Sequence, residues 1–218
     1  KEVAGRIRDT FPDTSVKIII FIRNQYDIIE STYRQYVKMG GVKSLKKYLF
    51  HPEVPYRRPM FSFDHFQYNK LIKYYCGLFG KNKKHSLKTR LLNFYAMDFI
   101  KKFARELNFP LIERKDIFYK KQNVSISNLS LSLNRLSNRI SIYDVLNYEI
   151  GFSIPYVAKI TRKICVFFDR LFPINNTTSI LSKEIRKHIS LYYKESNRNL
   201  LNFINYTADE LKERGYPL

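Results

Sequence analysis

Cysteine is scarce in this sequence, which has two, Cys76 and Cys165, in 218 residues. Both lie in apolar segments, and neither belongs to a CxxC pair or to a Cys/His cluster that could hold a metal. The spacing argues against a disulfide framework and against a zinc site. We therefore expect two buried free thiols, no metal, and a reducing compartment.

Long apolar runs are also missing. No stretch approaches the roughly 20 apolar residues that a membrane-spanning helix needs. The amino end lacks the charged, then apolar, then small-residue pattern of a secretory signal. We expect a soluble protein in the cytoplasm.

Acidic residues are few, at 19 against 39 Lys and Arg, which gives a formal net charge of +20. Such a charge attracts small anions or polyanions. The basic residues are spread along the chain, at Lys43 to Lys47, Arg57-Arg58, Lys81 to Arg90, Arg114 to Lys121 and Lys183 to Lys187. No zinc finger, RNP-type strand or basic-zipper heptad accompanies them, so specific nucleic-acid binding is disfavoured. A non-enzymatic basic module that binds nucleic acid non-specifically, or an anionic membrane surface, stays open as an alternative.

The chain is long and apolar enough to bury a sizeable core, since 44% of its residues are hydrophobic and 16% aromatic. Its length predicts one domain over residues 1–218. No internal repeat divides it.

The stretch from Phe11 to Gly41 carries the most informative spacing. Val16 to Ile22 is rich in β-branched residues and predicts a strand buried on both faces, as in a parallel sheet. A helix is predicted from Tyr26 to Met39, with Gly40-Gly41 as its stop. Arg23 therefore stands at the carboxyl end of a strand and before a helix N-terminus, which is where open α/β sheets bind anions.

Arg23, Asn24, Ser31 and the pair Tyr33-x-x-Tyr36 resemble the 3'-phosphate-binding signature of the sulfotransferase family, whose donor is 3'-phosphoadenosine 5'-phosphosulfate. The resemblance implies that Arg23 and Ser31 bind this donor. A guanidinium offers two parallel donors to phosphate oxygens, and a hydroxyl adds a third. Many members have Pro where this chain has Gln25. In the alternative interpretation, Arg23 pairs with Asp27 or Glu30 and Ser31 only packs.

The resemblance also implies the fold, an α/β domain with a P-loop NTPase-like parallel sheet flanked by helices and a helix-rich carboxyl-terminal half. Family members carry an amino-terminal strand, phosphate loop and helix that bind the 5'-phosphosulfate. No such loop and no GxxxxGK[ST] pattern occur after Lys1. We therefore expect an amino-terminally incomplete fragment, whose catalytic residues are unknown.

The region from His51 to Phe66 matches the part of the family that lines the acceptor pocket. Its candidate groups are His51, Glu53, Tyr56, Arg57, Arg58, Asp64 and His65. A residue of these types in a loop is more often exposed, or bonded to its sequence neighbours, than functional. Neither histidine is therefore assigned as a catalytic base. A helix over residues 66–79 ending in Phe79-Gly80-Lys81, a strand at Leu91 to Tyr95 and a helix from Asp98 to Leu107 are expected next.

Two later segments extend the resemblance. An Asn-x-Ser loop at Asn123 precedes a predicted helix with Arg135, Asn138 and Arg139; the two arginines either approach the nucleotide or form a surface pair. The tail holds Asn197, Leu200 and Gly215-Tyr216-Pro217, which resemble the end of bacterial carbohydrate-type members. This match implies a glycan or glycolipid acceptor.

Val157 to Phe172 predicts a basic amphipathic helix. Such a helix either packs on the core or the acceptor side, or lies on an anionic bilayer, which would bring the protein to the inner membrane surface. The sequence as a whole predicts a sulfotransferase that moves a sulfuryl group to a hydroxyl or amine of a glycan or glycolipid-like acceptor.

Overall fold

The computed structural model describes residues 2–11, 18–52, 61–79, 86–88, five positions between 101 and 110, and residues 126–141, 154, 156–171 and 178–218. The described elements are mostly helices. In chain order they are α1 Glu2–Thr10, β1 Ile20–Ile22, α2 Gln25–Lys38, α3 Leu45–Leu49, a 3-10 turn Phe63–Phe66, α4 Tyr68–Phe79, β2 Ser86–Lys88, α5 Asn128–Asn138, α6 Val157–Leu171, α7 Lys183–Leu200 and α8 Ala208–Glu213.

The predicted parallel sheet flanked by helices is wrong. In the described part, strand structure is limited to β1 and β2, three residues each, which pair in parallel with Ile20 opposite Ser86 and Ile22 opposite Lys88. β1 is also not buried on both faces, because Phe21 is 47% exposed while Ile22 is buried. A β-branched run has the same composition in a two-stranded pair as in a wide sheet, so composition did not reveal the number of neighbouring strands.

The helix predictions were more accurate, because each rests on an apolar pattern that repeats over several helical turns. α2, α4 and α6 lie within two residues of the predicted limits. α2 ends where Gly40 adopts φ +107°, and Gly41 lies against the Tyr36 ring, so both glycines of the predicted stop are required. The strand predicted at Leu91 to Tyr95 lies outside the described residues, as does most of the helix from Asp98.

The chain divides into two compact units. Unit 1 contains Lys1–Asn24, Gln67–Val124 and Tyr193–Leu218, and unit 2 contains Gln25–Phe66 and Ser125–Tyr192. In unit 1, α1 packs on α4, and Ile72, Tyr193, Leu200 and Leu211 are among its buried apolar residues. In unit 2, α5 packs on both α2 and α6, and Ile29, Val37, Leu131 and Ile189 are buried. The prediction of a single sulfotransferase-like domain stays a prediction.

Candidate functional site

Arg23 follows β1 directly, and its side chain is exposed. Its backbone carbonyl accepts a hydrogen bond of 2.8 Å from the hydroxyl of Tyr68 in α4. Burial raises the pKa of Tyr68 to about 12, although this hydrogen bond and the Arg23 charge both lower it. The phenol therefore stays protonated and keeps donating, which fixes the backbone at Arg23.

Asn24 is buried, and its side-chain amide donates 3.2 Å to the carbonyl of Arg214. The next residue, Gly215, has φ +77°, and a methyl group there would lie 3.6 Å from Asn24 Nδ2. The start of the predicted signature and the Gly-Tyr-Pro tail are thus in contact within unit 1, although they are 190 residues apart in sequence.

Asn197 anchors the same tail from α7. It is fully buried, and its Nδ2 donates 2.7 Å to the carbonyl of Pro217. The adjacent Tyr216 is buried as well. Three segments that the sequence analysis linked to the same family, at Asn24, Asn197 and Gly215 to Pro217, therefore form one packed cluster in unit 1, which we call the tail cluster.

Ser31 lies on the exposed face of α2. It belongs to unit 2, whereas Arg23 belongs to unit 1. The joint action of Arg23 and Ser31 on a phosphate therefore stays a prediction.

The Tyr-x-x-Tyr pair on α2 holds the loop that follows this helix. The Tyr33 hydroxyl donates 3.1 Å to the carbonyl of Lys43. The Tyr36 oxygen accepts from the backbone N–H groups of Val42 and Lys43, at 3.2 and 3.0 Å. Both tyrosines therefore shape the scaffold of unit 2 instead of facing a ligand.

Glu30, one of the two acids proposed as an alternative partner for Arg23, has partners within unit 2. Its Oε1 accepts 2.7 Å from Arg34 Nη2, and its Oε2 accepts 2.7 Å from the Ser179 hydroxyl. Arg34 also donates to the Ile126 carbonyl and to Asn128 Oδ1. This network ties α2 to the start of α5 and is a structural one.

The two arginines of α5 differ in their surroundings. Arg135 donates 3.3 Å to the Tyr33 hydroxyl, so it takes part in the α2–α5 contact. Arg139 is the exposed C-cap residue of α5. Neither of the two expectations for this pair, nucleotide contact or surface role, is tested by these contacts.

Part of the predicted acceptor region can be described. His51 Nδ1 lies 2.8 Å from the Pro52 carbonyl, and His65 is exposed on the 3-10 turn. Asp64 accepts 3.0 Å from the Tyr192 hydroxyl, and burial together with this carboxylate raises the pKa of Tyr192. The remaining candidates, Glu53, Tyr56, Arg57 and Arg58, lie outside the described residues.

The sequence analysis missed an aromatic group beside Asp64. The His188 ring lies 4.8 Å from Phe50, 5.2 Å from Phe63 and 6.3 Å from Tyr192 between centroids. His188 and Tyr192 are four residues apart on α7, so they share one helix face. That i,i+4 spacing was the only signal in the sequence, and Phe50 and Phe63 come from distant segments.

No group of three or more metal-ligating side chains occurs among the described residues. Cys165 is buried and Cys76 partly buried, and both are free thiols. Burial is the main cause that raises the pKa of Cys165, which makes it a poor nucleophile. In the part of the chain that the structure describes, no helix is both long and apolar enough to cross a bilayer.

Comparison with protein-family models, with curated proteins and with solved structures found no match for this chain.

Proposed function

We propose that this protein is a sulfotransferase, which moves a sulfuryl group from 3'-phosphoadenosine 5'-phosphosulfate to a hydroxyl or amine of a glycan or glycolipid-like acceptor. The observation that carries the proposal is the tail cluster. Asn24, from the signature that begins at Arg23, touches the Gly-Tyr-Pro tail, and Asn197 holds that same tail. Two sequence resemblances that were found independently thus coincide in space.

The local geometry at Arg23 supports a phosphate-binding role. The residue stands at the end of β1, its backbone is fixed by Tyr68, and its side chain is exposed. A guanidinium with a fixed backbone loses less freedom when it forms two parallel bonds to a phosphate.

The proposal rests on these segments and not on a parallel-sheet architecture. In the proposed reaction, the bond between sulfur and the bridging oxygen of the donor breaks while a bond forms from the acceptor oxygen or nitrogen to sulfur. The acceptor loses a proton to a base, and the leaving group is adenosine 3',5'-bisphosphate. Arg23 and Ser31 would bind the 3'-phosphate, far from the transferring group, so they contribute positioning. No metal is needed in this scheme, and the catalytic residues stay unknown.

The net charge of +20 favours capture of such a polyanionic donor. The proposal includes a cytoplasmic location with contact at the inner membrane surface, where a glycolipid acceptor would lie. It includes no specific nucleic-acid partner.

Thermal unfolding with two nucleotides tests the proposal. Adenosine 3',5'-bisphosphate at about 100 times its Kd should add about 2.7 kcal/mol, which corresponds to a melting-temperature rise of roughly 5–10 °C. Adenosine 5'-monophosphate, which lacks the 3'-phosphate, should raise it much less.

Arg23→Ala should remove the difference between the two nucleotides, because the guanidinium that would bind the 3'-phosphate is lost. Arg8→Ala is the matched control, because Arg8 is an exposed arginine of unit 1 that pairs with its neighbour Asp9 and carries the same charge. Equal stabilisation by both nucleotides, or a difference that survives Arg23→Ala, would show the proposal to be wrong.

A further inference from the structure

The inner face of α6 is made of small and polar residues. Ala158 and Cys165 are buried there, and Asp169 accepts hydrogen bonds of 2.9 Å from the Ser127 backbone N–H and from the Ser130 hydroxyl. The Ser141 hydroxyl accepts 3.0 Å from the backbone N–H of Ala158. α6 therefore packs against α5 with the side that an ordinary amphipathic helix would turn to water.

The outer face of α6 is strongly apolar. Its five large hydrophobic residues are between 49% and 59% exposed, and they are Ile160, Ile164, Phe167, Phe168 and Leu171. At 100° per residue they fall within one continuous third of the helix surface. Single exposed hydrophobic residues are common, but five on one stripe mark an interaction surface.

A basic stripe runs beside these residues. Lys159, Lys163 and Arg170 are exposed, and their spacing of four and seven residues puts them on one line along the helix. The only acid of α6 is Asp169, which faces α5 and binds its serines. The outer face thus combines apolar side chains with positive charge and presents no acid from α6 itself.

We propose that this outer face of α6 docks the protein on an anionic lipid bilayer. The apolar stripe would enter the boundary between headgroups and acyl chains, and the basic stripe would contact lipid phosphates. The helix has 15 residues, about 22 Å, so it lies in the interface plane and does not span.

Charge and chemistry favour a bilayer over other occupants. Nucleic acid would use the three basic residues and stack on Phe167 and Phe168, but it leaves aliphatic Ile160, Ile164 and Leu171 in water, whereas a bilayer covers all five apolar residues. A second copy of the chain, packed around a two-fold axis, would bring like-charged stripes together in a protein of net charge +20. This docking face deepens the membrane contact that is part of the proposed function. Donor binding does not depend on it, so a failure to bind vesicles and a failure to bind the nucleotide are distinguishable.

The sequence contains no tryptophan, so one introduced tryptophan reports on its own position. Phe168→Trp should show a blue-shifted and enhanced emission when vesicles with about one third phosphatidylglycerol in phosphatidylcholine are added. Leu191→Trp is the matched control, since Leu191 is 67% exposed on α7 of the same unit. Its emission should stay unchanged.

Vesicle flotation with variants separates the two stripes. Ile164→Ser with Phe167→Ser should weaken binding to the same vesicles roughly tenfold or more. Lys159→Gln with Lys163→Gln should weaken it similarly and make it less dependent on salt. Lys183→Gln with Lys187→Gln removes the same charge from α7 and should have a clearly smaller effect.

Circular dichroism should show unchanged helix content in each variant, because every substituted hydrophobic residue is at least 49% exposed and every substituted lysine is exposed. The proposal is overturned if the apolar double variant binds vesicles as well as the natural protein, or if double-stranded DNA binds and competes while the apolar variant makes no difference. It is also overturned if the natural protein is a dimer that this variant dissociates and vesicles do not bind.

Discussion

Replacing Asn138 with alanine should destabilise unit 2, because this side chain holds the end of α2. Asn138 is 1% exposed, and its Nδ2 donates 2.8 Å to the Val37 carbonyl and 3.0 Å to the Gly41 carbonyl. These carbonyls belong to the last turn of α2 and to its stop, where a helix leaves acceptors without intrahelical donors. A side chain on α5 thus caps another helix.

The magnitude follows from what each carbonyl keeps. The Val37 carbonyl still accepts 3.0 Å from the Gly40 N–H, so it loses one of two donors, whereas the Gly41 carbonyl loses its bond from Asn138. A buried carbonyl that loses its hydrogen-bond donor destabilises the protein by about 1–3 kcal/mol. A carbonyl that loses one of two donors and keeps the other destabilises it by about 0.5–1 kcal/mol. The better helix propensity of alanine returns a few tenths. The net loss should be about 2–3 kcal/mol.

Urea unfolding followed by circular dichroism measures this loss. With a slope near 2 kcal/mol/M, the midpoint should fall by about 1 M. Asn205→Ala, at an exposed asparagine, is the control and should stay within about 0.5 kcal/mol of the natural protein. An Asn138→Ala protein as stable as this control would refute the capping argument.

Two further predictions concern unit 1. Gly215→Ala should cost about 1–2 kcal/mol because φ is +77°, although the new methyl group meets only ordinary contacts. Gly5→Ala, inside α1 with open space around it, should instead stabilise by about 0.5–1 kcal/mol; equal melting temperatures for the two variants would contradict both. The pKa of Tyr68 is raised from 10.0 to about 12 by burial, so its contribution is fully present below pH 10 and is lost as pH rises towards 12. Tyr68→Phe should flatten the fall of melting temperature between those pH values, and an unchanged slope would speak against the buried phenol.

The sequence predicted the helices with a repeating apolar pattern, because α2 and α4 each bury one stripe, with Ile29, Tyr33 and Val37 on α2 and Tyr68 and Ile72 on α4. It also predicted the amphipathic helix α6 but left open what its apolar side contacts. That question depends on Ala158, Cys165 and Asp169, which pack on α5 and leave the larger residues outside. The periodicity of apolar residues in a sequence does not indicate which side of a helix packs on the neighbouring helix.

The fold class was wrong because a short strand says nothing about how many strands surround it. The hydrogen bonds of Asn138 and Asn197 were not predicted, although both residues were named from the sequence, because they reach carbonyls 101 and 20 residues away. One feature was available and went unnoticed. Thr207 and Glu210 have the capping-box spacing, and both reciprocal bonds are present at the start of α8.

Among the predicted site residues, Arg23 stands at a strand end and Ser31 lies in the following helix, as the sequence predicted, whereas their binding of the donor stays a prediction. The sequence could not indicate that Tyr68 bonds to the Arg23 carbonyl or that Asn24 bonds to the tail, because these partners lie 45 and 190 residues away in sequence. The aromatic group around His188 was missed for the same reason.

Phosphorus NMR of bound adenosine 3',5'-bisphosphate tests the central claim most directly, because its two phosphates give separate resonances. If Arg23 and Ser31 bind the 3'-phosphate, that resonance should shift on titration with the natural protein and with Arg8→Ala. The shift should be lost in Arg23→Ala and reduced in Ser31→Ala, in line with the greater strength of charged hydrogen bonds. A 3'-phosphate resonance that the natural protein leaves unchanged, or that shifts equally in Arg23→Ala, would contradict the claim.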